Sequence, residues 1–146
     1  NLKVSYRLFG YSDTGSGGIE SLTIMGKYDS DEDCAEMLRA YKPDYLMLLS
    51  IWPETYSYAL SVALRLNIPP VVFDIGAPAD RVRQTGLGHV LPYDWLDRPE
   101  KINNFLLENP PSRLSAARHK ALVAELDAQQ KPVLLSDEYY AKVTTE

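Results

Sequence analysis

Two kinds of pattern alternate along this chain. Short runs of β-branched and aromatic residues read as strands, and stretches whose apolar residues recur every three or four positions read as helices. "LKVSYRLFG" (2–10) and "IESLTIMG" (19–26) predict two strands, joined by the Gly- and Ser-rich loop "YSDTGSGG" (11–18). "DSDEDCAEMLRAY" (29–41) predicts a helix capped by Asp29 or Ser30, with acids in its first turn and a buried face of Cys34, Met37, Leu38 and Tyr41. "YLMLLS" (45–50) and "PVVFDIG" (70–76) are continuous apolar runs, as in strands covered on both sides. Between them, residues 55–66 predict a helix with a stripe of Tyr56, Ala59, Leu60, Ala63 and Leu64. A short helix over 78–84 with Pro78 at its first position, a strand over 88–92 and a helix over 97–109 follow. That last helix opens with a capping-box-like Asp97 and Glu100 and is stopped by Pro110 and Pro111. A final helix spans 112–130, and 131–146 reads as a tail or linker whose one apolar run is "PVLLS" (132–136).

Alternation of strand and helix from residue 19 to 109 predicts one α/β domain over 1–130, a Rossmann-like parallel sheet wound right-handed with helices on both faces. Ligands of such sheets bind outside the carboxyl ends of the strands. The segments there are 10–18, 26–30, 50–56 and 74–78, all rich in Gly, Ser, Asp or Pro, and Glu54 lies among them.

Composition narrows the partners. The 146 residues are enough for one domain with a real core, and 45% apolar with 24% charged residues is ordinary for a globular chain. A net charge of −5 without a basic run argues against nucleic acid or an anionic membrane as partner. The single cysteine, Cys34, excludes an internal disulfide and fits a reducing compartment. No apolar run approaches the ~20 residues of a membrane span, and no signal peptide opens the chain. A start at Asn1 that runs almost at once into a strand suggests a piece of a longer protein.

The candidate chemistry centres on "SIWPETYSYALSVAL" (50–64). A helix opening at Thr55 would offer free amides and the positive end of its dipole to a phosphate. Glu54 beside that seat makes sense if the ligand also presents hydroxyls. The same position equally suits a first-turn acid that only complements the dipole. "DTGSGG" lacks the spacing and lysine of a phosphate-binding loop and reads better as a connection. His89 in an apolar strand and His119 on the polar side of a helix have no ligand partners at metal spacing, so no metal site is read. No nucleophile elbow appears. Asp74, ending a strand, would bond the turn amides after it or orient a ligand. Tyr56 is assigned to the core and Tyr58 to the surface.

The stretch "PETYSYALSVAL", followed by "IPPVVFDIGAPADRV", resembles the donor-binding half of family 4 retaining glycosyltransferases of the GT-B fold. The similarity runs from about Leu2 to Leu107 and is nearest to bacterial enzymes of polysaccharide and lipopolysaccharide assembly. It implies a nucleotide-diphosphate-sugar donor lying across the carboxyl edge of the sheet. Gly26, Lys27 and Tyr28 would lie against the nucleobase. Glu54, the catalytic candidate, would contact the donor sugar. The amides of Thr55, Tyr56 and Ser57 would meet sugar or phosphates. The activity implied is metal-independent glycosyl transfer, without a cofactor, to a saccharide or lipid-linked acceptor. The longer chain would supply an N-terminal GT-B domain. The implied location is the cytoplasm, or the inner face of its membrane.

The chain departs from the family pattern twice. The second family glutamate, eight residues after the first, is Val62 here, which cannot bond ribose hydroxyls. The first strand and helix of the family's donor domain, with the basic residues of their loop, are not found. In the strand order 3-2-1-4-5-6 that strand is central, so its absence predicts a slot beside the strands at 2–9 and 45–50. The run 132–136, or a strand from another molecule, is a candidate to fill it. Both departures keep a second reading open: a non-catalytic, degenerate GT-B domain that serves packing or assembly.

Overall fold

The computed structural model describes residues 4–13, 15, 17–18 and 20–129. The run 132–136 lies outside the described residues. The element order is β1 (Tyr6–Phe9), β2 (Leu22–Gly26), α1 (Asp31–Tyr41), β3 (Leu46–Leu48), α2 (Tyr58–Arg65), β4 (Pro70–Phe73), α3 (Gly76–Thr85), β5 (His89–Leu91), a 3-10 turn (Tyr93–Trp95), α4 (Pro99–Glu108) and α5 (Ala116–Gln129). The α/β alternation holds, and every strand pair is parallel.

The ladders are two, not one. β1 pairs with β2, and β3, β4 and β5 form a separate three-stranded sheet in that order. In the larger sheet Leu46 stands beside Pro70, and Val71 beside His89. β4 is its middle strand and all four of its residues are buried. Val72 faces Leu60, Leu64, Ala79, Val82, Leu122 and Leu126, from α2, α3 and α5. Val71 and Phe73 face Ile102 and Leu106 of α4. A strand covered on both sides needs apolar residues at every position, and "PVVF" supplies them.

β1 sits between the same two helical layers. On one side Phe9 packs edge-on to Tyr41 of α1 at 6.0 Å, and the Arg7 guanidinium lies 5.5 Å from the centre of the Tyr41 ring. On the other side the Tyr6 hydroxyl donates to Asn103 of α4. A mostly apolar cavity of about 270 Å³ has Tyr6, Met47, Leu49, Phe73, Ile102 and Asn103 in its wall. No ladder among the described residues joins β1 to β3.

Local chemistry accounts for the helix ends. Ser30, not Asp29, caps α1: its Oγ accepts the Asp33 amide at 3.1 Å, and the Asp33 carboxylate accepts the Asp29 amide at 3.1 Å. α3 begins two residues before Pro78, so the proline is the third helical residue and not the first. The helix of 97–109 starts later than expected, with Arg98 as N-cap and no side-chain cap, so Asp97 and Glu100 do not form a capping box. Asn67, left-handed at φ 55°, fastens α5 to the end of α2: its Nδ2 donates to the Leu114 carbonyl and its Oδ1 accepts the Leu114 amide, both at 2.9 Å. His119 lies within 3.0 Å of the Leu64 carbonyl through Nε2, so it serves this junction and not an open polar face.

Candidate functional site

The helix predicted from Thr55 begins three residues later. Ser57 is the N-cap of α2, with its Oγ taking the Leu60 amide at 3.4 Å. The seryl cap won over the periodicity that placed Tyr56 on the helical stripe. Thr55 and Tyr56 thus precede the helix, and Ser57, extended at φ −135° and ψ 113°, caps it. The amides left open at its mouth are those of Tyr58 and Ala59, which meet no acceptor among the described residues.

Glu54 stands at the carboxyl edge, partly buried, between β3 and this mouth. Its main chain is gripped by α3. The Glu54 carbonyl accepts the Ala77 amide at 3.0 Å, which also supplies an acceptor for the uncapped start of α3. Gly76, at φ 67°, lies against the same peptide. The Glu54 carboxylate makes no hydrogen bond or ion pair among the described residues. An acid that is fixed at its backbone and open at its carboxylate can accept hydrogen bonds from hydroxyls of a bound molecule.

Tyr56 is not in the core. It is 38% exposed, and its ring lies edge-on to Tyr58 at 5.1 Å, while Tyr58 is exposed as expected. The Arg81 guanidinium covers the Tyr56 ring at 4.4 Å and donates to the Ser57 carbonyl at 3.0 Å. Arg81 was missed in the sequence because it lies 24 residues from Ser57. An arginine in the second turn of the helix after a carboxyl-edge loop is the one signal that would have pointed to it.

Gly26, Lys27 and Tyr28 also lie at the carboxyl edge, at the end of β2. The Gly26 carbonyl accepts the Gly10 amide at 2.8 Å, and the Lys27 ammonium stands 4.6 Å from the centre of the Tyr11 ring. Burial pushes the Tyr28 hydroxyl pKa above its usual value, with Cys34 and Asp31 adding to the shift. These residues belong to the β1–β2 ladder and the 54–57 loop follows the other ladder. No described hydrogen bond, ion pair or ring contact joins the two groups.

Val62 is 5% exposed and packs with Cys34, Ala35, Leu38 and Ile68. It forms part of the wall of a cleft of about 380 Å³ between α1, α2 and the end of α5, where Asp31, Glu32, Arg39, Arg65 and Asp127 supply the polar groups. The Asp74 carboxylate does not bond the turn amides; it pairs with Arg83 at 2.5 Å. His89 packs between the rings of Tyr45 and Phe105, and burial lowers its pKa. Among the described residues no group of three or more His, Cys, Asp or Glu side chains could hold a metal ion. No helix among them is long and apolar enough to cross a membrane. Compared with protein-family models, with curated proteins and with solved structures, the chain finds no match.

Proposed function

We propose that this chain is a donor-binding domain of a GT-B retaining glycosyltransferase, holding a nucleotide-diphosphate sugar at the mouth of α2. The observation that carries the reading is Glu54. Its peptide is locked to the start of α3 and its carboxylate is unengaged, beside two open amides at the positive end of a helix. In this reading the carboxylate accepts hydrogen bonds from the donor sugar, and the Tyr58 and Ala59 amides face the phosphates. That moves the phosphate contacts from Thr55, Tyr56 and Ser57 to the next two residues. Gly26, Lys27 and Tyr28 would border the base. The complete enzyme would transfer the sugar, without metal or cofactor, to a saccharide or lipid-linked acceptor. A second GT-B domain would close the cleft, and the work would be done in the cytoplasm or at the inner membrane face. Residues 1–146 alone would bind donor and not turn it over.

One observation favours a second reading, a non-catalytic domain kept for assembly. Val62 is covered and apolar where the resemblance calls for a ribose-binding carboxylate. A titration separates the two. UDP-, GDP-, ADP- and dTDP-glucose are added to labelled protein and amide shifts are followed. Perturbation confined to residues 26–28 and 54–59 supports the donor domain. No perturbation at millimolar ligand supports the assembly domain.

A further inference from the structure

Arg81 of α3 reaches across to the start of α2. Its two terminal nitrogens donate to the Ser57 carbonyl at 3.0 Å and to the Ser61 Oγ at 2.8 Å, and its flat face covers the Tyr56 ring at 4.4 Å. The Tyr56 hydroxyl closes the group on Ser61 Oγ at 2.9 Å, and Ser61 is 2% exposed. Arg39, Arg65, Arg83, Arg98 and Arg118 each pair with a carboxylate, whereas Arg81, like Arg7 and Arg113, bonds main-chain carbonyls and forms no ion pair among the described residues. The first turn of α2 contains no acid either. A cation held at the N-terminal end of a helix opposes the dipole and lowers stability. The two charge-assisted hydrogen bonds and the ring contact offset that cost and hold the guanidinium against the loop.

We infer that Arg81 is a positioning residue for the donor loop; the inference rests on the function proposed above. It ties α3 to the loop at a second point, one helical turn beyond the grip of Gly76 and Ala77 on Glu54. Together the two ties fix both ends of the segment from Glu54 to Ser57. The role calls for arginine. Its planar fork reaches two acceptors while its face stays on a ring, and a lysine ammonium cannot do all three at once.

The experiment compares wild type, Arg81→Met and Arg81→Lys. Hydrogen exchange without ligand reads the loop itself. The Leu60 and Ser61 amides, whose acceptors are Oγ and the carbonyl of Ser57, should exchange at least ten-fold faster in Arg81→Met, with Val72 of β4 unchanged. Kd for the four glucose nucleotides reads the site. Arg81→Met should weaken binding at least ten-fold and Arg81→Lys should restore only part of it. Unchanged exchange at Leu60 and Ser61 overturns the inference whether or not nucleotide binds. Unchanged Kd in Arg81→Met, with wild type binding normally, overturns it too. Failure of the wild type to bind any of the four refutes the donor reading instead, and the exchange arm still decides whether Arg81 holds the loop.

Discussion

Gly76 lies so close to the Glu54 peptide that a Cβ at position 76 would stand 2.8 Å from both its nitrogen and its carbonyl oxygen. The start of α3 and the loop after β3 therefore share one surface, and neither can shift without the other. Gly76→Ala should displace that loop. Its backbone, at φ 67°, adds about 1–2 kcal/mol of left-handed strain, and overpacking adds about 1–3 kcal/mol. Gly86→Ala is the control. Gly86 also has a left-handed φ, 69°, but a Cβ there meets nothing within 4 Å, so only the backbone part should be lost. Urea unfolding of both variants measures the difference, and equal losses would remove the shared surface from the account.

Replacing Glu54 by Gln should leave stability within about 0.5 kcal/mol, because the carboxylate has no partner to lose. Affinity for a glucose nucleotide should fall at least ten-fold, while the matching sugar-free nucleoside diphosphate binds as before. Calorimetry with both ligands reads the contrast. An equal loss for both would mean that the acid acts on something other than the sugar.

His89 gives the fold a pH dependence. Burial lowers its pKa below the ordinary 6.5, so the folded state holds the neutral ring and the unfolded chain takes up the proton first. This contribution is complete above about pH 6.5 and declines as pH falls from there through the folded-state pKa. Urea midpoints at pH 7.5, 6.5 and 5.5 should fall in that order, and His89→Phe should flatten the upper part of the slope.

Cys34 should resist thiol reagents in the native state. It is 6% exposed, and burial first, then Asp31 and Asp33, raises its thiol pKa and so suppresses the reactive thiolate. Labelling should be slow in buffer and fast in denaturing urea. Rapid labelling of the folded protein would place α1 in a looser packing than the one described.

The periodic parts of the chain were legible. "PVVF" announces a strand covered on both sides, and Leu60, Ala63 and Leu64 fall on the buried face of α2. The start of α2 was not, because Tyr56 fits the helical spacing while the residue that sets the boundary is Ser57, through its cap. The loop containing Glu54 was found from topology alone. Its geometry was not, since the residues that fix it, Gly76, Ala77 and Arg81, lie on a later helix and reach it by backbone packing and a guanidinium, which leave no periodic trace. The pairing of Asp74 with Arg83 depends on a side chain nine residues away and leaves no local signal.

The two separate ladders give the molecule a seam. Among the described residues β1 is joined to the rest by side chains, with Phe9 packed against Tyr41 and the Cys34–Leu38–Val62–Ile68 cluster and Tyr6 bonded to Asn103, while β3, β4 and β5 share main-chain ladders. Side-chain packing yields at lower free energy than a ladder buried on both faces. Amides of β1 and β2 should therefore exchange with solvent faster than those of β4 in native-state hydrogen exchange, and equal protection of the two would remove the seam.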